Sequence, residues 1–264
     1  MGVSNVILSF LLAVIFDFGI QGIAIASSIS FLISAIYSTR ILLTKQQEED
    51  SLNVMVDKKE VRQKFFYVGF YIFIRSMFLT IFIAYLRNRA SLMSMEEIAL
   101  QHVLLQLWSF GYVFVDALAI AAQTLVSEYK TKFIDYKNSD LKQYLNKLTL
   151  RISIFLFIFS SIFLDIFVTL ITDKYLAQLI DLELSILFGL SLLIGSFAFL
   201  WDGVLLGLDK SKEFSSLSVV SSIIGFVSCS YLLNFENSLM SLWIGLNLSL
   251  VYRGLAGYLY QIRD

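Results

Sequence analysis

The 264-residue sequence contains no proline, where average usage of about 5% would supply roughly a dozen. Every break in a helix must therefore come from glycine or from clustered polar residues. Cysteine occurs once, at Cys229, which excludes an intramolecular disulfide framework and any multi-cysteine metal site. Within its apolar segment Cys229 reads as a small buried hydrophobe. Histidine also occurs once, at His102, so no second imidazole can join it around a metal. Excess charge of either sign is missing too: 20 basic and 21 acidic residues give a formal net charge of −1, and no basic field exists to attract nucleic acid. No Lys or Arg precedes Arg40, so the positive region that opens a secretory signal is not found. Val6 stands where a myristoylation site needs Ser or Thr.

What is abundant is apolar surface: 58% of residues are hydrophobic and only 16% charged, arranged in long uncharged runs. That composition predicts an all-α polytopic membrane protein. Runs of suitable length predict about eight spans, near Ser4–Phe18, Ile20–Leu43, Phe65–Leu86, Ala99–Ser127, Leu148–Ile171, Leu182–Gly207, Phe214–Leu233 and Leu239–Leu259. The first is short, and Asp17-Phe18-Gly19-Ile20-Gln21-Gly22 reads as a glycine-and-polar turn, so seven spans plus a half-helix is the alternative count.

Positive charge alternates between connections. Arg40, Lys45, Lys58, Lys59, Arg62 and Lys64 follow the second span, and Lys130, Lys132, Lys137, Lys142, Lys147 and Arg151 follow the fourth. With Lys210, Lys212 and Arg263 they make fifteen, against Arg87, Arg89 and Lys174 on the other side. By the positive-inside rule both termini face the cytoplasm. The polar stretch 45–64 reads as a hydrated linker between two membrane units, with two spans before it and six after it. A second polar stretch, 128–147, spaces Tyr136, Leu141, Tyr144, Leu145 and Leu148 as an interfacial amphipathic helix would, or is a plain solvated loop.

An ionisable side chain at mid-membrane costs about 2.5 to 3.5 kcal/mol on insertion scales, so it faces a cavity, a partner or a pathway. Four such residues stand out. Arg75 is near the middle of the third span and Asp116 just past the middle of the fourth, at a depth they could share. Asp202 lies about 11 Å cytoplasmic of the centre of the sixth span, at about 1.5 Å per residue, and Arg253 lies on the cytoplasmic side of the eighth. Along the fourth span His102, Gln106, Ser109, Asp116, Gln123 and Ser127 recur at separations of 4, 3, 7, 7 and 4, one helix face. Such a stripe lines a water-filled cavity or glues packed helices together. His102, near the outer end, reads as a solvated interfacial histidine. Gly203-Val204-Leu205-Leu206-Gly207 is a close-packing motif, and Gly254 and Gly257 follow Arg253. Asp165 has no polar stripe around it. Nucleophile elbows, phosphate-cradling glycine loops and paired-histidine metal motifs are missing, so no enzyme reading arises and no metal site is expected.

Several of these segments resemble, in order along the chain, the multidrug and toxic compound extrusion (MATE) transporters, in their DinF-type branch. Asp116-Ala117-Leu118-Ala119-Ile120-Ala121-Ala122-Gln123-Thr124-Leu125-Val126 is similar to that branch's Asp-Gly-Phe-Ala-x-Ala-Ala-Gln-x-Leu-Val, with Ala117 and Ser127 where it has glycine. Phe199-Leu200-Trp201-Asp202-Gly203-Val204-Leu205-Leu206-Gly207 resembles its tenth helix, and Arg75-Ser76 its seventh. Trp243 and Tyr252-Arg253-Gly254 resemble its last helix, and Gly19-Ile20-Gln21-Gly22-Ile23-Ala24-Ile25-Ala26 the opening of its sixth. The resemblance implies two six-helix bundles, of which this chain would hold helices five and six of the first (1–44), the cytoplasmic linker (45–64) and all six of the second (65–264). Helices one to four, with the first bundle's coupling aspartate, would be supplied by a longer chain or a partner.

On that basis the chain is expected to be part of a cation-coupled antiporter in a bacterial inner membrane, exporting organic, cationic or amphipathic small molecules. The coupling ion is a proton or sodium, and no other cofactor is expected. Asp116 and Asp202 are the candidate coupling carboxylates, Arg75 the partner of Asp116, and Gln106 and Gln123 neutral cavity lining; a buried ion pair that only fixes helix register is the plainer alternative. A lipid-linked oligosaccharide flippase of the same superfamily would favour several arginines around a pyrophosphate. Arg75 alone lies deep in a span, which argues for the exporter. A non-transporting remnant, or one half of a split assembly, is the third reading.

Overall fold

A computed structural model describes residues 2–50, 58–132, 140–172, 174–235 and 238–263. All the regular structure among them is helical. The chain divides into two compact units, residues 1–62 and 63–264.

The first unit opens with α1 (Gly2–Phe10), continued by a π-helical segment, Leu11–Ile15. It is no full span. The chain breaks at Asp17 and Gly19, both in the left-handed region with φ near 55° and 51°, and α2 (Gly19–Asp50) then begins. The seven-plus-half count is the one that holds: among the described residues seven helices are long and apolar enough to cross a membrane, and Gly2–Ile15 is a shorter apolar one. A side chain at Gly22 would lie 2.8 Å from the backbone of Leu12. The two arms of this hairpin can close only because that position lacks a Cβ.

α2 runs on through Asp50, and α3 (Lys58–Ala90) starts inside the stretch expected to be linker. Gln, Glu and Lys are strong helix formers and no proline interrupts them, so polarity here does not end the helix. Residues 51–57 lie outside the described segments.

The second unit holds six long helices, α3, α4 (Met95–Thr131), α5 (Asp140–Ile171), α7 (Leu182–Gly207), α8 (Ser211–Leu233) and α9 (Leu239–Arg263), with a single turn, α6 (Lys174–Ala177), between the third and fourth. Ser94-x-x-Glu97 caps α4 reciprocally: the Glu97 amide donates to Ser94 Oγ at 3.3 Å and the Ser94 amide to Glu97 Oε2 at 3.0 Å. The polar stretch 128–147, expected as an amphipathic helix or a solvated loop, divides between the end of α4, the start of α5 and residues 133–139, which lie outside the described segments. Its Leu141 and Leu145 belong to the first turns of α5 and are buried against Val126, Trp201 and Val204; Tyr136 lies outside the described residues.

α7 is the axis of this unit, packed against α4, α5 and α9, while α8 packs on α9. Small residues allow it. A Cβ at Gly189 would fall on the Ser161 hydroxyl of α5, at Gly195 on the Tyr112 hydroxyl, and at Gly203 on the Ala119 carbonyl oxygen of α4; at Gly207 it would lie 2.7 Å from the Gln123 carbonyl. With little hydrophobic drive between helices in lipid, such close approach and inter-helix hydrogen bonds supply the cohesion. Trp108 Nε1 donates to Ser191 Oγ at 2.9 Å, Tyr112 Oη to the Ser191 carbonyl at 3.1 Å, and Trp243 Nε1 to buried Gln101 Oε1 at 3.0 Å. Asn247 Nδ2 reaches the Leu187 carbonyl at 3.0 Å and so ties α9 to α7.

Candidate functional site

Three helices far apart in sequence deliver charge to one point. Asp202 follows Trp201 on α7, where Gly203 brings the helix so close to α4 that the carboxylate is driven into the bundle; it is 5% exposed. Arg253 on α9 is 3% exposed and chelates it, Nε donating to Oδ1 at 3.3 Å and Nη2 to Oδ2. Arg75 on α3 adds a third bond, Nη2 to Oδ2 at 3.3 Å. Both carboxylate oxygens are therefore engaged. Each guanidinium also lies over an aromatic ring, Arg75 4.6 Å from the centroid of Phe214 and Arg253 4.7 Å from that of Phe199.

This corrects the pairing expected from depth. Arg75 makes its ion pair with Asp202, not with Asp116. Depth fixes only one coordinate; the direction in which a side chain leaves its helix fixes the other, and the sequence of one helix does not give it. Asp116 remains within electrostatic reach of both arginines but is exposed on α4. Exposed with it are Gln106 and Gln123, and His102, Ser109 and Ser127 of the same stripe. The stripe does not glue helices together within the bundle, because the buried residues of α4 lie elsewhere, at Leu100, Leu104, Tyr112, Val115, Ala122 and Val126. Two clefts, of about 430 and 440 Å³, contain none of the five candidates. The polar residues stand on an open face. Asp165 is likewise exposed on α5.

The residue that sequence reasoning underrated is Arg253. The signal was available: it sits in the second half of α9 as Asp202 does in α7, and Gly257, whose Cβ would lie 2.8 Å from Trp201 Cβ, draws those two helices together.

A second cluster marks the same end of the bundle. Asp209 follows α7 at a helix-ending turn in which the Lys210 amide donates to the Leu205 carbonyl at 2.8 Å and the Asp209 amide to the Leu206 carbonyl at 3.1 Å. That closure calls for a left-handed residue, ordinarily glycine; Asp209 takes it, with φ 63°. Its carboxylate accepts from Lys130 Nζ at 2.9 Å and Lys64 Nζ at 3.0 Å, joining the ends of α4 and α3. The hydrogen bond from Lys130 and then that from Lys64 hold the carboxyl below its ordinary value. A depressed carboxyl stabilises the fold above its unfolded pKa, and the contribution disappears as pH falls through the folded value. Thermal unfolding in detergent should therefore show wild type more stable than Asp209→Asn at pH 7, by about 1 kcal/mol or less for so exposed a cluster. The two curves should merge toward pH 3 and in high salt. A gap that widens on acidification would contradict the ion pairs.

Comparison with solved structures identifies the fold. The chain superposes on a MATE transporter in the straight conformation with TM-score 0.79 at 15% identity, covering 98% of this chain and 59% of that one. An outward-facing multidrug-resistance MATE family transporter of the MOP superfamily gives TM-score 0.78 at 15% identity, with the same coverage. A MOP superfamily transporter from Pyrococcus furiosus, described as having a binding pocket of reversed polarity that suggests a different function, gives 0.76 at 17%, covering 98% of this chain and 59% of its own. No protein-family model and no curated protein sequence matches the chain. At these identities the likeness is one of fold, and the chain spans about 59% of the length of the structures it matches.

Proposed function

We propose that this multi-pass membrane protein is the larger part of a MATE-type, DinF-like transporter, a cation-coupled exporter of organic amphiphiles in which Asp116 exchanges the proton or sodium ion. One observation supports that role: of the two candidate carboxylates, Asp202 has both oxygens committed to guanidiniums, whereas Asp116 is exposed on a polar helix face. A carboxylate that loads and unloads a cation as access alternates needs an open flank. Asp202 with Arg75 and Arg253 then fixes the register of three helices around it. Gln106 and Gln123 offer neutral hydrogen-bonding groups along the same path, and the remaining helices of a two-bundle transporter come from a longer chain or a partner. On this reading the linker and the carboxyl terminus are cytoplasmic, in a bacterial inner membrane, while the short first helix, which does not cross, leaves the amino terminus off that side.

A second reading, the flippase, gains from the burial of Arg253. Position along the sequence singles out Arg75 alone as a deep arginine, whereas in the fold two guanidiniums converge on Asp202. The substrate's charge, rather than its transport, is where the two readings part.

Everted vesicles from the source cells, carrying the chromosomal gene with or without Asp116→Asn, test the coupling. Addition of ethidium or of carboxyfluorescein should collapse a preset proton or sodium gradient in wild type and leave it intact in the variant. Gradient collapse of equal rate in both would remove Asp116 from the mechanism.

A further inference from the structure

Two guanidiniums sharing one carboxylate leave a positive charge over. Arg253 is enclosed, but the Arg75 side chain keeps 19% of its surface, and its buried Nε has no hydrogen-bond partner. An uncompensated cation at this depth is unfavourable in hydrocarbon. The carboxylate within electrostatic reach of both arginines besides Asp202 is Asp116, which bonds neither and stands exposed on α4.

We propose that Arg75, backed by Arg253, is a receptor for the oxyanion head group of a substrate, a phosphate or carboxylate, and that Asp116 is the resident counter-ion this head group supplants. The inference rests on reading the open α4 face as a transport path and names the class of compound that path takes. A guanidinium presents paired N–H donors in the plane that a carboxylate or phosphate matches, and its weak hydration lets it work away from bulk water. Arg75 is pre-oriented for the task, with one edge fixed on Asp202 Oδ2 and its face on Phe214. What it offers a head group is the part of the side chain that stays open, 19% of its surface. A cationic compound would meet the surplus charge of the arginine pair and be drawn only to Asp116.

The experiment titrates the 264-residue chain in dodecyl maltoside micelles with decyl phosphate, inorganic phosphate and decyltrimethylammonium, reading the midpoint of the rise in Tm. Decyl phosphate should stabilise at a concentration at least about tenfold lower than decyltrimethylammonium, a floor well under what a unit charge in contact supplies at an effective dielectric near 20. Stabilisation by inorganic phosphate at the same midpoint would assign the site to a free anion; stabilisation by decyl phosphate alone would assign it to an amphiphile's head group. Asp116→Asn should tighten decyl phosphate binding, and Arg75→Gln should weaken it while Arg75→Lys retains part. The gain in Asp116→Asn cannot be mistaken for misfolding. Equal response to the two charged amphiphiles, no response to any probe, or Asp116→Asn and Arg75→Gln both binding as wild type would each overturn the proposal. Because binding is read here without transport, its failure is separable from a failure of the vesicle assay.

Discussion

Arg253→Met should unfold the bundle at a denaturant concentration or temperature far below wild type, with a loss of about 3 to 5 kcal/mol. The cost arises from Asp202 rather than from the missing guanidinium itself. Its carboxylate is 5% exposed, and without the chelating Arg253 it retains one longer contact, from Arg75. A buried charge stripped of its main partner is penalised by more than the pair ever contributed, whereas removing both charges together is much milder. The double variant Arg253→Met with Asp202→Asn should therefore recover most of the loss, Arg75 being partly exposed and able to find water. Unfolding monitored by near-UV circular dichroism in detergent reads both. A single variant as stable as wild type, or a double variant no better than the single, would show that the pair does not carry the helix contacts assigned to it.

Gly203→Leu should be comparably severe. A Cβ alone at this position would lie far inside contact distance of the Ala119 carbonyl oxygen, a backbone atom that cannot rotate away, so α7 must move off α4. Overpacking of this kind costs about 1 to 3 kcal/mol, occasionally more, and here it also disturbs the neighbouring Asp202 cluster. Gly69→Ala provides the contrast, since nothing lies within 4 Å of a Cβ there and alanine is the better helix former by about 1 kcal/mol. A protein that tolerates leucine at 203 as it tolerates alanine at 69 would not have the α4–α7 contact described.

Helical class, the positions of the long spans and the packing role of Gly203 and Gly207 were legible because each rests on local information: hydropathy over twenty residues, or a Cβ that is missing. The break at Asp17–Gly19 was legible for the same reason. Pairing was not. Arg75, Asp202 and Arg253 are separated by 127 and 51 positions, and three helices can place a set of depths in contact in many azimuthal arrangements. Asp116 and Arg75 matched in depth, so they looked like partners; what decides the matter is that Gly203 and Gly257 pull α7 against α4 on one side and α9 on the other. The polar ends of α2 and α3 said less, because charge marks a solvated segment without saying whether it is coiled or helical.

From His102 to Ser127 the polar stripe of α4 covers about 38 Å at a rise of about 1.5 Å per residue, which exceeds the roughly 30 Å thickness of a bilayer's hydrocarbon. Acyl chains cannot wet such a band along its whole height. Spin labels placed on it should be reached by a water-soluble nickel chelate and shielded from dissolved oxygen, the reverse of labels on the phenylalanine face of α5. The bundle thus carries a built-in orientation about the membrane normal, marked by one meridian on α4 that acyl chains avoid.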